Sequence, residues 1–204
     1  LLSATELAAT FADFLPQEGL LEAYDVFISY RWTPKEGAVC DDSNLAVKLY
    51  DKMSTWALGA EGRRPAIFLD RRRLQHGRRF DDDCLQALTV SSVIVPVVSV
   101  DALQRMMTLT ADRTEGEIDC VLLEWLLITQ LQSLGIVSKS LPIVLGRIES
   151  GHATDFYASK VKERLPQSVA APEITVVRDF LTSKGWKASP KLDTMTVRGI
   201  VDAI

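Results

Sequence analysis

Histidine and cysteine are scarce in this 204-residue chain, and neither is spaced for chemistry. His76 and His152 lie far apart and no GxSxG turn is present, so a serine hydrolase would lack both its base and its nucleophile elbow. Cys40, Cys84 and Cys120 are odd in number and have no CxxC spacing. That argues against a disulfide framework or a zinc site and for a reducing, cytoplasmic setting. The longest apolar run, Val93 to Val98, falls far short of the ~20 residues a membrane helix needs. No GxxxxGK phosphate loop occurs, and no GxGxxG turn follows the first strand-like segment. Charge of one sign is not in excess either. A net charge of -4 gives no global basic field for nucleic acid or anionic lipid.

What remains is a chain that is 47% hydrophobic, enough for one ordinary core. It opens on Leu1 rather than Met, as expected of a domain cut from a longer protein, with any targeting segment upstream. Residues 1–22 read as a leading helical extension, with Leu7, Ala8, Phe11, Phe14 and Leu15 at helical spacing before Pro16 and Gly19. Val26-Phe27-Ile28 is a continuous apolar run, the mark of a strand buried on both faces. A loop from Thr33 to Asp42 follows. The next helix repeats Leu45, Leu49 and Met53, with Asp42 or Ser43 as its cap.

Pro65 to Leu69 reads as the second strand, and Phe80 to Thr89 as a helix with Asp81, Asp82 and Asp83 at its positive end. Val93 to Val98 is the third strand, Asp101 to Glu117 polar and irregular, and Ile118 to Leu134 a long apolar helix stopped by Gly135. Leu141 to Leu145 is the fourth strand. Gly151 to Ala171 mixes helical signals with a break at Pro166, Pro172 punctuates its end, and two short helices finish the chain. Strands and helices alternate, and every strand is short and uniformly apolar. That pattern specifies an α/β fold, a doubly wound parallel sheet of about five strands with helices on both faces.

In such sheets ligands collect beyond the carboxyl ends of the strands. Ser29-Tyr30-Arg31, Asp70 and Ser99 all fall at those ends. A receiver domain with a phosphoacceptor aspartate shares the architecture, but it needs an aspartate ending strand three and an acidic pair after strand one. This chain has Val97-Val98-Ser99 and Tyr30-Arg31 there.

Two features stand out against that frame. Glu124 lies inside Val121-Leu122-Leu123-Glu124-Trp125-Leu126-Leu127, a helix apolar all round and therefore expected to be buried. An ionised carboxylate in such a place costs several kcal/mol without a partner. It is either a structural glutamate paired with Arg31 or a loop arginine, or a working group. Seven arginines between Arg63 and Arg79 form the second feature. They either balance Asp81 to Asp83 on a solvated surface or hold a phosphate in bidentate fashion. Cys120, one turn before Glu124 and with nothing basic beside it, reads as a pocket-wall or core thiol.

Tyr24 to Arg31, Phe68-Leu69-Asp70 with the loop through Gly77, Val93 to Ser99, and Asp119 to Trp125 stand in one order across residues 23–148. In that order they resemble a TIR (Toll/interleukin-1 receptor/resistance) domain, of the kind that keeps an NAD⁺-cleaving glutamate. The resemblance implies a flavodoxin-like TIR core over 23–150, with 151–204 as its C-terminal part carrying extra helices. It implies Glu124 as the catalytic group, contacting the ribose that bears nicotinamide. Tyr30, Arg31, Trp32, Asp70, Arg73, Gly77 and Cys120 would line the substrate pocket, Cys120 standing where many NAD-cleaving members carry an aromatic residue. Trp125 or Trp32 would then supply the stacking surface.

NAD⁺ would be the substrate, with no separate cofactor and no metal. Other TIR domains would be the partners, through self-association, with no nucleic acid as main partner and no membrane within this fragment. The implied activity is hydrolysis of the nicotinamide–ribose bond to nicotinamide and ADP-ribose or a cyclic ADP-ribose, in signalling or defence. The alternative from the same resemblance is a non-enzymatic adaptor that only assembles with other TIR domains.

Overall fold

The computed structural model describes residues 24–32, 41–58, 62–69, 80–110, 118–145, 147–149, 152–154, 161–167 and 171–204. Its elements in chain order are β1 (Tyr24–Ser29), α1 (Asp41–Met53), β2 (Ile67–Phe68), α2 (Phe80–Thr89), β3 (Ser91–Val98), α3 (Val100–Met107) and α4 (Cys120–Ser133). There follow β4 (Lys139–Ser140), β5 (Ile143–Val144), β6 (Arg147–Glu149), β7 (His152–Thr154), α5 (Ala171–Ser183) and α6 (Val197–Ala203). Single 3₁₀ turns occupy Lys162–Arg164 and Leu192–Thr194.

The chain forms two compact units. One runs up to Val97 and takes in Val137–Ile143; the other comprises Val98–Ile136 and Val144–Ile204.

The first unit is built on the sheet. β1 pairs in parallel with β2 on one side and β3 on the other, and β3 pairs in parallel with β4, giving the order β2-β1-β3-β4. The chain therefore moves outward from β1 in one direction and then reverses, which defines a doubly wound sheet. All of β1 after Tyr24 is buried, as is all of β3 except Ser92. This is the double-faced burial that the unbroken apolar runs predict. Phe27 and Phe68, register partners on β1 and β2, stack at 4.9 Å with rings 6° apart.

One polar anchor sits inside this apolar frame. Arg63 Nη1 and Nη2 donate to Asp25 Oδ2 and Oδ1 at 2.6 and 2.7 Å, and Ala66 N–H donates to Oδ2 at 2.7 Å. The fork geometry ties the approach to β2 onto the second residue of β1. The hydrogen bond to Asp25 raises the Arg63 pKa further above its ordinary value, so the guanidinium stays charged.

β4 and β5 are two halves of one extended segment, and proline explains the gap between them. The register Ile94↔Ser140 continues two residues on as Pro96 opposite Pro142. Leu141 N–H donates to Ile94 O, and Leu145 N–H donates to Val98 O, so the odd-numbered residues of the segment face β3. At the intervening position the Leu141 carbonyl would receive the N–H of residue 96, which proline lacks. Pro142 in turn faces outward, away from β3, where a missing donor blunts an edge. The fourth strand predicted over 141–145 is thus displaced toward 139–144 and divided.

Other expectations need correction. The stretch from Asp101, read as irregular, begins as α3: Ser99 Oγ accepts from Ala102 N–H at 3.0 Å, and Ala102, Leu103 and Met106 are buried. Asp42 and Ser43 lie within the first turn of α1 rather than capping it. β6 and β7 form an antiparallel ladder, with Ile148 opposite Ala153, so the stretch from Gly151, read as mixed helical, begins with a strand at β7. Pro172 opens α5 instead of ending the segment before it. Proline suits a first turn, because its absent N–H has no helical partner there. The leading helix expected over 1–22 lies outside the described residues.

In the second unit, α4 is the hub, with α5 and α6 packed against it. Eleven consecutive residues of α4, Val121 to Leu131, are buried. An all-round apolar helix enclosed on every side is what its composition dictates. Gly135, at φ +70°, takes the left-handed turn that ends it.

Candidate active site

The carboxyl end of β1 delivers three of the expected residues in succession. Tyr30 and Arg31 are 5% and 6% exposed, whereas Trp32 is 52% exposed. They follow Ser29, the register partner of Pro96, at the strand from which the sheet reverses direction. Arginine is seldom this enclosed, and Arg31 is so directly after a core strand.

In the second unit, Cys120 and Glu124 lie one turn apart on α4 and so share a face of that helix. Glu124 is 6% exposed, and Cys120 is half-buried and in no disulfide. Tyr30 and Arg31 belong to the first unit and Cys120 and Glu124 to the second. Asp70, Arg73 and Gly77 lie outside the described residues. Trp125 is fully enclosed, so its ring is core and offers no open stacking face; Trp32 retains an exposed one.

The start of α4 is held by groups that the sequence reading did not single out. Asp119 caps the helix, its Oδ1 accepting from Leu122 N–H at 3.0 Å, while its Oδ2 lies 3.2 Å from Arg105 Nε on α3. Asp119 N–H donates to Glu173 Oε1 at 3.0 Å. Asp119 and Glu173 are both fully buried. Glu173 lies in the first turn of α5, so its carboxylate serves the positive end of its own helix and the N-cap of α4 together. An aspartate directly before an apolar run is a readable cap signal. The glutamate 54 residues further on carries no such local mark.

The result is a capped, buried, apolar helix that holds one carboxylate near its start. Such a group can stabilise a developing positive charge without being displaced by water. Among the described residues no cluster of His, Cys, Asp or Glu is arranged to hold a metal ion, and no helix is long and apolar enough to cross a membrane.

Fold and side chains define an α/β protein with a doubly wound parallel sheet and a buried acidic residue on its most apolar helix. Comparison with protein-family models, with curated proteins and with solved structures returns no match.

Proposed function

We propose that this chain is a TIR-type NAD⁺ nucleosidase that breaks the bond between nicotinamide and ribose and is activated by self-association. The observation that carries the reading is Glu124: a carboxylate, 6% exposed, inside eleven consecutive buried residues of α4. A carboxylate is seldom enclosed in so apolar a helix, and an acidic group in such a setting is a candidate for a functional task.

The chemistry suits a single carboxylate. The C1′–N bond breaks with its electron pair leaving on nicotinamide, which departs neutral and needs no general acid. The ribose becomes oxocarbenium-like, and Glu124 stabilises that charge until water adds to C1′ and gives up a proton. A ribose hydroxyl or adenine nitrogen in place of water would give a cyclic product. Tyr30, Arg31 and Trp32 would bind substrate, Arg31 matching a phosphate oxygen pair by its fork of donors.

The test is nicotinamide release from NAD⁺ by concentrated protein, beside Glu124→Gln. The variant is expected to keep its circular dichroism and lose roughly 10²- to 10³-fold in kcat, the usual loss on removing one electrostatic stabiliser. Equal turnover by both proteins removes Glu124 from the mechanism. Self-association of the parent without any nicotinamide supports the adaptor alternative.

A further inference from the structure

We propose that Met195 is an oxidation site whose sulfoxide releases the C-terminal segment from α4. The inference does not depend on NAD⁺ chemistry. Gln130 Nε2 donates to Met195 Sδ at 3.5 Å, and Thr129 Oγ1 approaches the same sulfur at 3.7 Å. The Thr129 hydroxyl hydrogen already has a closer acceptor in Leu126 O at 2.7 Å, so Gln130 is the main donor to sulfur. Gln130 Oε1 accepts from Ser189 N–H at 3.0 Å, and Nε2 also meets Thr129 Oγ1 at 3.5 Å.

This one amide therefore uses its carbonyl and both its hydrogens, and it fastens the segment from Ser189 to Met195 onto α4 at two points. Gln130 is 2% exposed, so an unmade bond there is not replaced by water and is costly.

Met195 and Met107 are half-buried, whereas Met53 and Met106 are fully enclosed; of the two half-buried ones only Met195 holds Gln130 through its sulfur. A half-buried side chain of this kind is open to a dissolved peroxide without unfolding of the core. The sulfur lone pair attacks one peroxide oxygen, the O–O bond breaks, and an S–O bond forms. The departing hydroxide takes the proton of the oxygen now bonded to sulfur and becomes water, and sulfur is oxidised by two electrons.

The new oxygen does not fit. Aimed at Gln130, it requires an S–O bond plus an N–H···O separation of ~2.9 Å, more than the present 3.5 Å between sulfur and nitrogen. Met195 must move outward. The next residue, Thr196, caps α6 by accepting from Gly199 N–H at 2.8 Å, and α6 packs on α4. Outward movement at Met195 thus pulls on the first turn of the terminal helix, and the Ser189 bond goes with it.

The experiment treats the full chain with hydrogen peroxide and then dithiothreitol, which reverts cysteine sulfenic acids and disulfides but leaves sulfoxides. Peptide mass spectrometry is expected to find oxygen on Met195 well before Met53 or Met106. Amide exchange at Ser189 and through residues 197–203 should rise about tenfold, as loss of a buried hydrogen bond allows, and methionine sulfoxide reductase should reverse it. Met195→Leu should exchange slowly before and after peroxide. Met195→Gln, which places a polar oxygen near the same point, should exchange fast without oxidant. The proposal is overturned if Met195 oxidises no faster than Met53, if oxidised protein exchanges like the parent, or if Met195→Leu responds to peroxide as the parent does.

Discussion

Among single residues, Asp25 and Glu124 are both buried acidic side chains, and they predict different phenotypes. Asp25 is 3% exposed and meets Arg63 through two short bonds, with Ala66 N–H as a third donor. Its purpose is local: it fixes the register of the chain entering β2. Replacing Arg63 by Met leaves the Asp25 carboxylate enclosed with its main counter-charge gone. Because the Arg63 side chain is 30% exposed, solvent softens the loss. The expected cost is about 2 kcal/mol in denaturant unfolding, with Arg63→Lys intermediate because it keeps the charge but not the fork. A cost below ~0.5 kcal/mol, the size of a surface pair, would show that the fork contributes little. Glu124 predicts the reverse pattern, a large loss of turnover with the fold retained.

At the scale of elements, legibility followed the locality of the signal. β1, β3 and α4 were plain in the sequence because each is an unbroken apolar run whose burial follows from composition alone. α3 was missed because exposed Gln104 and Arg105 dilute its buried face of Ala102, Leu103 and Met106. The β6–β7 ladder was missed because neither three-residue strand is long enough to display a period of two. The division of the fourth strand required knowing that Pro96 and Pro142 share a register position, a fact of pairing rather than of either segment. The same holds at the site: Glu124 announced itself against apolar neighbours, while Glu173 acquires its meaning only from Asp119 across the fold.

The paired prolines also yield a prediction. Pro142 presents no N–H along the outer side of its segment, next to Val144, which is 53% exposed. Pro142→Val supplies an outward donor beside an apolar side chain, the combination that invites another strand to add. Light scattering is expected to find more association in the variant at equal concentration, with unfolding free energy lowered by no more than about 1 kcal/mol, the unfolded-state contribution of proline. Unchanged association would mean that the donor missing at Pro142 is not what protects this edge.

At the scale of the whole molecule, the proposed activity makes a claim about concentration. Net charge is only -4, a weak barrier to self-association, and seven arginines lie between Arg63 and Arg79 in the sequence. An open head-to-tail contact between copies extends into filaments rather than closing at a dimer. If such a contact completes the substrate site, specific activity must fall on dilution as the assembly dissociates by mass action. Across a roughly hundredfold dilution from the concentrated protein, nicotinamide released per molecule should therefore drop steeply, and a crowding agent should restore it. On the TIR reading, in which the segment at Gly77 would meet a neighbouring chain, Gly77→Trp should flatten that dependence. Added salt should act in the same direction as dilution if arginine contacts drive assembly, since exposed charges are screened beyond ~8 Å at physiological ionic strength. Constant specific activity over the whole dilution series would mean that a single chain is already competent, and self-association would then have to be dropped from the mechanism while Glu124 stayed in it.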